Sequence, residues 1–140
     1  MAGVIRCTVV SPERQLFDGE VDHLVVPGTE GELGVFPRHA AMIAALGPGV
    51  VRLTTTAGGS ERFAVRGGFL HVKKDVATLL VTDTVKPSDL DRAKLDAEYE
   101  SVLEALRHPR SEEEFAELLV QRRWCEVRLS LVGTKTASAH

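Results

Sequence analysis

The residues with the clearest chemical potential lie in the stretch PGTEGELGVFPRHA, from Pro27 to Ala40. It follows the apolar run HLVV and spaces Gly28, Gly31 and Gly34 evenly around Glu30 and Glu32. A glycine loop after a strand cradles phosphate when it is written GxGxxG and opens a helix, whose N-terminus then faces the anion. Here the spacing is GxxGxxG, and Pro37 disfavours an immediate helix. Glu30 and Glu32 would also repel a phosphate. The residues fit a different purpose, a tight loop between strands that displays carboxylates at one end of a sandwich. Glycine there supplies backbone conformations closed to other residues.

No other catalytic pattern is present: GxxxxGK[ST], GxSxG and HExxH are all missing. The histidines, His23, His39, His71, His108 and His140, show no ligand spacing and read as surface or satisfied strand residues. The carboxylates cluster on helical segments as solvated faces, and none is assigned to an acid/base pair. Cys7 and Cys125 lie near opposite ends and form no CxxC pair, which fits two free thiols in a reducing compartment. Seventeen Lys and Arg against 20 Asp and Glu give a net charge of -3. No basic excess points to nucleic acid, and no polybasic cluster points to an anionic bilayer. The apolar runs are too short to span a membrane, and MAGVIRCTVVSPE lacks a signal-peptide core. A soluble, cytosolic chain is expected.

The elements that must carry the loop fall into two halves. Up to about Val85 the chain reads as short strands: RCTVV, RQLF, VDHLVV, LGVF, AMIAAL, VVRLTTT, RFAVR, GFLHV and VATLLVT. Turn signals such as SPE, DGE, GPG, AGGS and KKD separate them. No helical stretch intervenes, so the expected fold of residues 1–86 is an antiparallel all-β sandwich. From Pro87 onward the period changes. SDLDRAKLDAEYESVLEALR holds no Gly or Pro, with Ser88 as the expected N-cap. After the break HPR, Ser111 and Glu114 form an S-x-x-E capping box opening a second helix to about Val132, with Gly133 as its stop. Residues 87–140 therefore predict an antiparallel α-helical hairpin.

The second helix has apolar residues on two sides. Phe115, Leu118, Leu119, Cys125, Leu129 and Val132 share one side, and Ala116, Val120, Trp124, Val127 and Leu131 the other. A surface helix normally has one apolar stripe. One side can pack on the first helix, through Leu95, Tyr99, Val102, Leu103 and Leu106. The other must meet the sandwich or another chain. The helix is acidic at its start and basic later, at Arg122, Arg123 and Arg128. Complementarity to the macrodipole explains that order; a basic end reserved for an acidic partner is the sharper reading.

Together these segments resemble the epsilon subunit of the F-type rotary ATP synthase of bacteria. The carriers are VVSPERQLFDGEVDHLVVPGTEGELGVFPRHA, GPGVVRL, VRGGFLHVKKDVATLLVTDTV and DLDRAK, with EGELGxxPxHA the most specific. The resemblance implies a non-catalytic rotor subunit, peripheral to the cytoplasmic face of the inner membrane. Its partners would be the gamma subunit, the c-ring and the alpha/beta catalytic head. Glu30, Gly31, Glu32, Leu33, Gly34 and His39 match the family's loop toward the c-ring and gamma. The hairpin would lie on the sandwich or extend into the head and block ATP hydrolysis, with Arg122, Arg123, Trp124, Val127 and Arg128 on the inhibitory helix.

Some members bind ATP through a motif written I/L-D-x-x-R-A. Asp89, Arg92 and Ala93 match it, Ser88 replaces the aliphatic residue, and Arg122 and Arg128 are counterparts of further contacts. Without the apolar cover for a base, ATP is expected to bind weakly or not at all, and no other cofactor is implied. Three functions compete: a rotor subunit, an ATP-sensing module, and a sandwich enzyme with a scattered site. Co-purification with gamma and the c-ring, ATP binding alone, and turnover alone distinguish them.

Overall fold

The computed structural model describes residues 3–138 of the chain, with side chains through 132. Eight strands lie among them: β1 (Ile5–Val10), β2 (Gln15–Gly28), β3 (Gly31–Val35), β4 (Met42–Leu46), β5 (Gly49–Thr55), β6 (Ser60–Val65), β7 (Gly67–Lys73) and β8 (Val76–Thr82). A 3-10 turn, Pro87–Asp89, precedes α1 (Arg92–Arg107) and α2 (Glu112–Ser138). Two compact units divide between Thr84 and Val85.

The first unit is the expected β-sandwich. Strand order is β1-β8-β7-β4-β2-β5-β6, with β3 added to β2 and a further β1–β2 pairing. The pairings are antiparallel except β1 with β8, which run parallel. Two of the expected strands, RQLF and VDHLVV, are one strand of 14 residues. The intervening DGE does not turn. Gly19 sits opposite Cys7, and Asp18 Oδ1 accepts from Arg6 at 2.7 Å and from Thr8 Oγ1 at 3.2 Å. A cross-strand carboxylate thus takes the place of a turn carboxylate. The long strand pairs first with β1 and then with β3 and β5, through an irregularity between Val21 and His23.

Period-two alternation fills the core. Ile5, Cys7 and Val9 on β1, Leu24 and Val26 on β2, Leu70 and Val72 on β7, and Leu79 and Val81 on β8 are buried together around Phe63. Each such side chain stabilises the fold by roughly 1.5–3 kcal/mol. Lys74 and Asp75, both at positive φ, make the two-residue turn joining β7 to β8, the arrangement whose twist matches a hairpin. Gly68, at φ 141°, lets β7 close on β8: a Cβ there would collide with the Leu80 carbonyl.

In the second unit, Ser88 is not the N-cap. The chain forms the 3-10 turn first, Leu90 is extended, and Asp91 caps α1 by accepting from the amides of Ala93 at 3.0 Å and Lys94 at 3.3 Å. A carboxylate next to the helix start outcompetes a hydroxyl three residues upstream. Ser111 Oγ does accept from the Glu114 amide at 3.0 Å, but the Glu114 carboxylate reaches the Arg110 amide rather than that of Ser111. The helix does not stop at Val132 or Gly133; it continues to Ser138. One glycine costs a helix about 1 kcal/mol and does not by itself end it. Val102, Leu118 and Cys125 are buried at the α1–α2 contact, with Tyr99, Ala105 and Leu106 packed around them. Val127 and Leu131, from the second stripe, are buried too, while Phe115 and Val120 are exposed.

Candidate functional site

The loop of the opening stretch is a β-hairpin followed by a second loop. Thr29 and Glu30 form the tip between β2 and β3, with Gly28 opposite Gly31. Gly31 sits at φ 130°, and a Cβ on Gly28 would press to 2.7 Å from the Gly31 carbonyl. Gly31 thus supplies the left-handed backbone and Gly28 the close approach, whereas Gly34 has no positive φ, and a strand follows them where a phosphate loop needs a helix. Glu30, Gly31, Glu32 and Gly34 are exposed, and Leu33 turns inward onto the core.

Glu32 has an intramolecular partner that the sequence did not name. Arg52, on β5, approaches both carboxylate oxygens, at 3.1 Å and 3.3 Å. Glu32 lies opposite Pro27 on one side of β2, and Arg52 lies opposite Val25, two residues away, on the other, so the Glu32 and Arg52 side chains meet diagonally across β2. Only the strand register shows this. Both side chains are open to water, 45% for Arg52 and 59% for Glu32. An ion pair so exposed contributes no more than about 1 kcal/mol. Glu32→Gln and Arg52→Gln are each expected to lower unfolding stability by less than about 1 kcal/mol, measured by urea denaturation. A larger loss would make the pair a structural clasp rather than a displayed one.

The β3–β4 loop carries His39. The Asp75 carboxylate accepts from the Arg38 amide at 2.6 Å, tying this loop to the β7–β8 turn, and Arg38 takes φ 69°. His39 Nδ1 lies 2.8 Å from the Ala40 carbonyl. A carbonyl can only accept, so Nδ1 is the donor in this contact. Phe36, 56% exposed, stacks on His23 at 5.1 Å, and His23 Nε2 meets Thr54 Oγ1 at 3.3 Å. Among the described residues no cluster of His, Cys, Asp and Glu could hold a metal ion. His140 lies outside the described residues.

The basic residues of α2 are mostly engaged by carboxylates. Arg122 Nε lies 3.9 Å from Glu126, and Arg123 is exposed. Arg128 forks onto Glu98 of α1, at 3.3 Å and 2.6 Å, and lies 5.2 Å over the ring of Trp124. The Cys125 thiol donates to the same Glu98 at 3.4 Å. Burial, and then the Glu98 carboxylate, push that thiol up to about 11. Tyr99 donates to Glu126 at 3.0 Å, and this bond raises its phenol above the ordinary value. Of the residues matching the ATP motif, Asp89 accepts from the Lys86 amide at 3.0 Å, Arg92 Nε meets Asp96 at 3.3 Å, and Ala93 uses its amide on the Asp91 cap.

No helix among the described residues is long and apolar enough to cross a membrane. Residues 4–87 match the family described as ATP synthase, Delta/Epsilon chain, beta-sandwich domain. An ATP synthase epsilon chain of Stenotrophomonas maltophilia is 39% identical over 124 residues, covering 84% of this chain and 89% of the relative. One of Bordetella petrii is 36% identical over 112 residues, covering 80% and 79%. Among solved structures, a chain of the Euglena gracilis mitochondrial ATP synthase has the same fold, with TM-score 0.75 and 22% identity over 98% of this chain and 82% of its own. A sandwich matched along its whole length, and a relative 39% identical over 84% of the chain, make this chain a member of the ATP synthase epsilon chain family.

Proposed function

We propose that the chain is a non-catalytic rotor subunit that joins gamma to the c-ring, at the cytoplasmic face of a bacterial inner membrane, and restrains ATP hydrolysis through α1 and α2. The observation that carries this reading is an apolar face on the sandwich. Val10, Leu80, Phe69 and Ala45 follow one another across β1, β8, β7 and β4 as direct register partners, so they share one face. Phe69 and Leu80 are 56% and 53% exposed, and Ile43 on the next row is 74% exposed. An open apolar hollow lies beside them, lined by Val10, Pro12, Gly68, Phe69 and Leu80. Such a contiguous face marks a protein interface. Its apolar character suits a permanent neighbour such as gamma, whereas the polar Glu30–Gly34 loop suits the polar loops of a c-ring. The solved relatives belong to assemblies described as OSCP/F1/c-ring and central stalk/c-ring, which supports the same placement.

Co-purification tests it. The chain is expected to bring down gamma and the c-ring, and cysteine at position 32 to cross-link to the c-ring. Cross-linking solely to a catalytic-head subunit would overturn the placement.

ATP is expected to bind with a dissociation constant on the order of millimolar or weaker. Asp89 and Arg92 are already engaged by Lys86 and Asp96, and Ser88 offers no apolar cover to a base. Calorimetry of the full chain with ATP and magnesium measures this. Micromolar binding abolished by Arg92→Ala would make the chain an ATP sensor instead.

A further inference from the structure

We propose that the fork between Arg128 and Glu98 is a latch that sets how often α1 and α2 separate. The ion pairs Arg92–Asp96, Arg107–Glu104 and Arg122–Glu126 each lie within one helix and do not resist separation. The fork joins the two helices. Its Arg128 side chain is only 13% exposed, and the Glu98 carboxylate accepts from the guanidinium and the Cys125 thiol together. The guanidinium is held further by the Trp124 carbonyl, at 3.3 Å, and by the Trp124 ring. The two bonds of the fork and three further contacts thus converge on a single pair of charges. The apolar seam beside it is built on Val102, Leu118 and Cys125, with Tyr99, Ala105 and Leu106 packed around them, and Tyr99 adds one hydrogen bond across to Glu126.

The fork is shielded at its Arg128 end, while the Glu98 side chain is 48% exposed; a planar bidentate contact of this kind is among the stronger polar contacts, and it is lost as a unit. When the helices part, both charges regain water, so the open state strands no buried ion. A latch of this kind is breakable. It also means that Arg128 becomes available to any acidic partner only after the hairpin opens.

Cys125 is a built-in reporter, because it is fully buried beneath the fork, and Cys7, fully buried in the sandwich, is the internal control. The full-length chain is labelled with N-ethylmaleimide, and each thiol is quantified by peptide mass spectrometry. Glu98→Gln and Arg128→Gln are each expected to speed labelling of Cys125 about tenfold, with Cys7 unchanged. Arg128→Lys keeps the charge but loses the fork, and its effect is expected to be smaller. Thiol acidity cannot mimic this pattern. Glu98 raises the Cys125 pKa and Arg128 lowers it, so an acidity effect would move the two Gln variants in opposite directions. Opposite shifts, no change in either variant, or an equal rise at Cys7 would each overturn the latch. The regulatory meaning of the latch rests on the function proposed above, but the thiol assay does not. Unchanged hydrolysis after removal of the hairpin would end the regulatory reading, whereas unchanged labelling would end the latch.

Discussion

Lysine at position 69 together with glutamate at position 80 is expected to remove the chain from the rotor while leaving it folded. Phe69 and Leu80 are direct register partners on β7 and β8, and more than half of each side chain meets water. Replacing them takes nothing from the buried core, which is formed by the opposite face of the same strands through Leu70, Val72, Leu79 and Val81. Opposite charges placed directly across a strand pair also support the sheet. The fold should therefore change in stability by no more than about 1 kcal/mol. In the assembly the result differs. Burying two charges opposite an apolar partner surface costs several kcal/mol, and affinity for gamma should fall by roughly two orders of magnitude or more. Surface-immobilised gamma and circular dichroism measure the two quantities side by side. Wild-type affinity in the double variant would show that this face is not the interface.

Local patterns carried most of the fold and little of the site. Apolar, β-branched runs and the turn signals between them placed β1, β7 and β8, and the structure then shows one buried face on each strand. The GxxGxxG spacing already argued against a phosphate loop, and Gly31 does take the positive φ that such a loop residue uses. What failed were competitions between neighbours. DGE has the composition of a turn, yet Asp18 is held by Arg6 and Thr8 across the sheet. Ser88 and Asp91 are both good caps, and the 3-10 turn at Pro87 decided between them. What could not be seen at all were long-range partners. Arg52 is 20 residues from Glu32, and Arg128 is 30 from Glu98. Both pairs depend on register, one between strands and one between helices. The sequence marked Arg128 as a basic residue awaiting an acidic partner, and in this conformation that partner lies in the same hairpin.

Removing residues 88–140 is expected to raise ATP hydrolysis by the complete enzyme, by at least about fivefold if the hairpin acts as an allosteric restraint of ordinary strength. ATP synthesis should persist. Two features make the test clean. The large buried core lies wholly between Ile5 and Val81 and draws on no helical residue, so the remaining fragment is expected to fold alone and still join gamma. The Glu32–Arg52 pair and the apolar face of β7 and β8 also lie within that fragment, so both proposed rotor contacts survive the cut. Any change in hydrolysis would then come from α1 and α2 rather than from loss of the subunit. In the restrained state, α2 would bury Trp124 and Val127 in the head while Arg122, Arg123 and Arg128 meet acidic groups there. Arg128 must first leave Glu98 to do so. Loosening that fork should therefore favour restraint, whereas deleting the hairpin should abolish it. Arg128→Gln removes both the fork and the charge, so it cannot separate these effects. Glu98→Gln breaks the fork while keeping the Arg128 charge, and it should lower hydrolysis while the deletion raises it. Hydrolysis unchanged in both variants under every activating condition would mean that this hairpin is not an inhibitor.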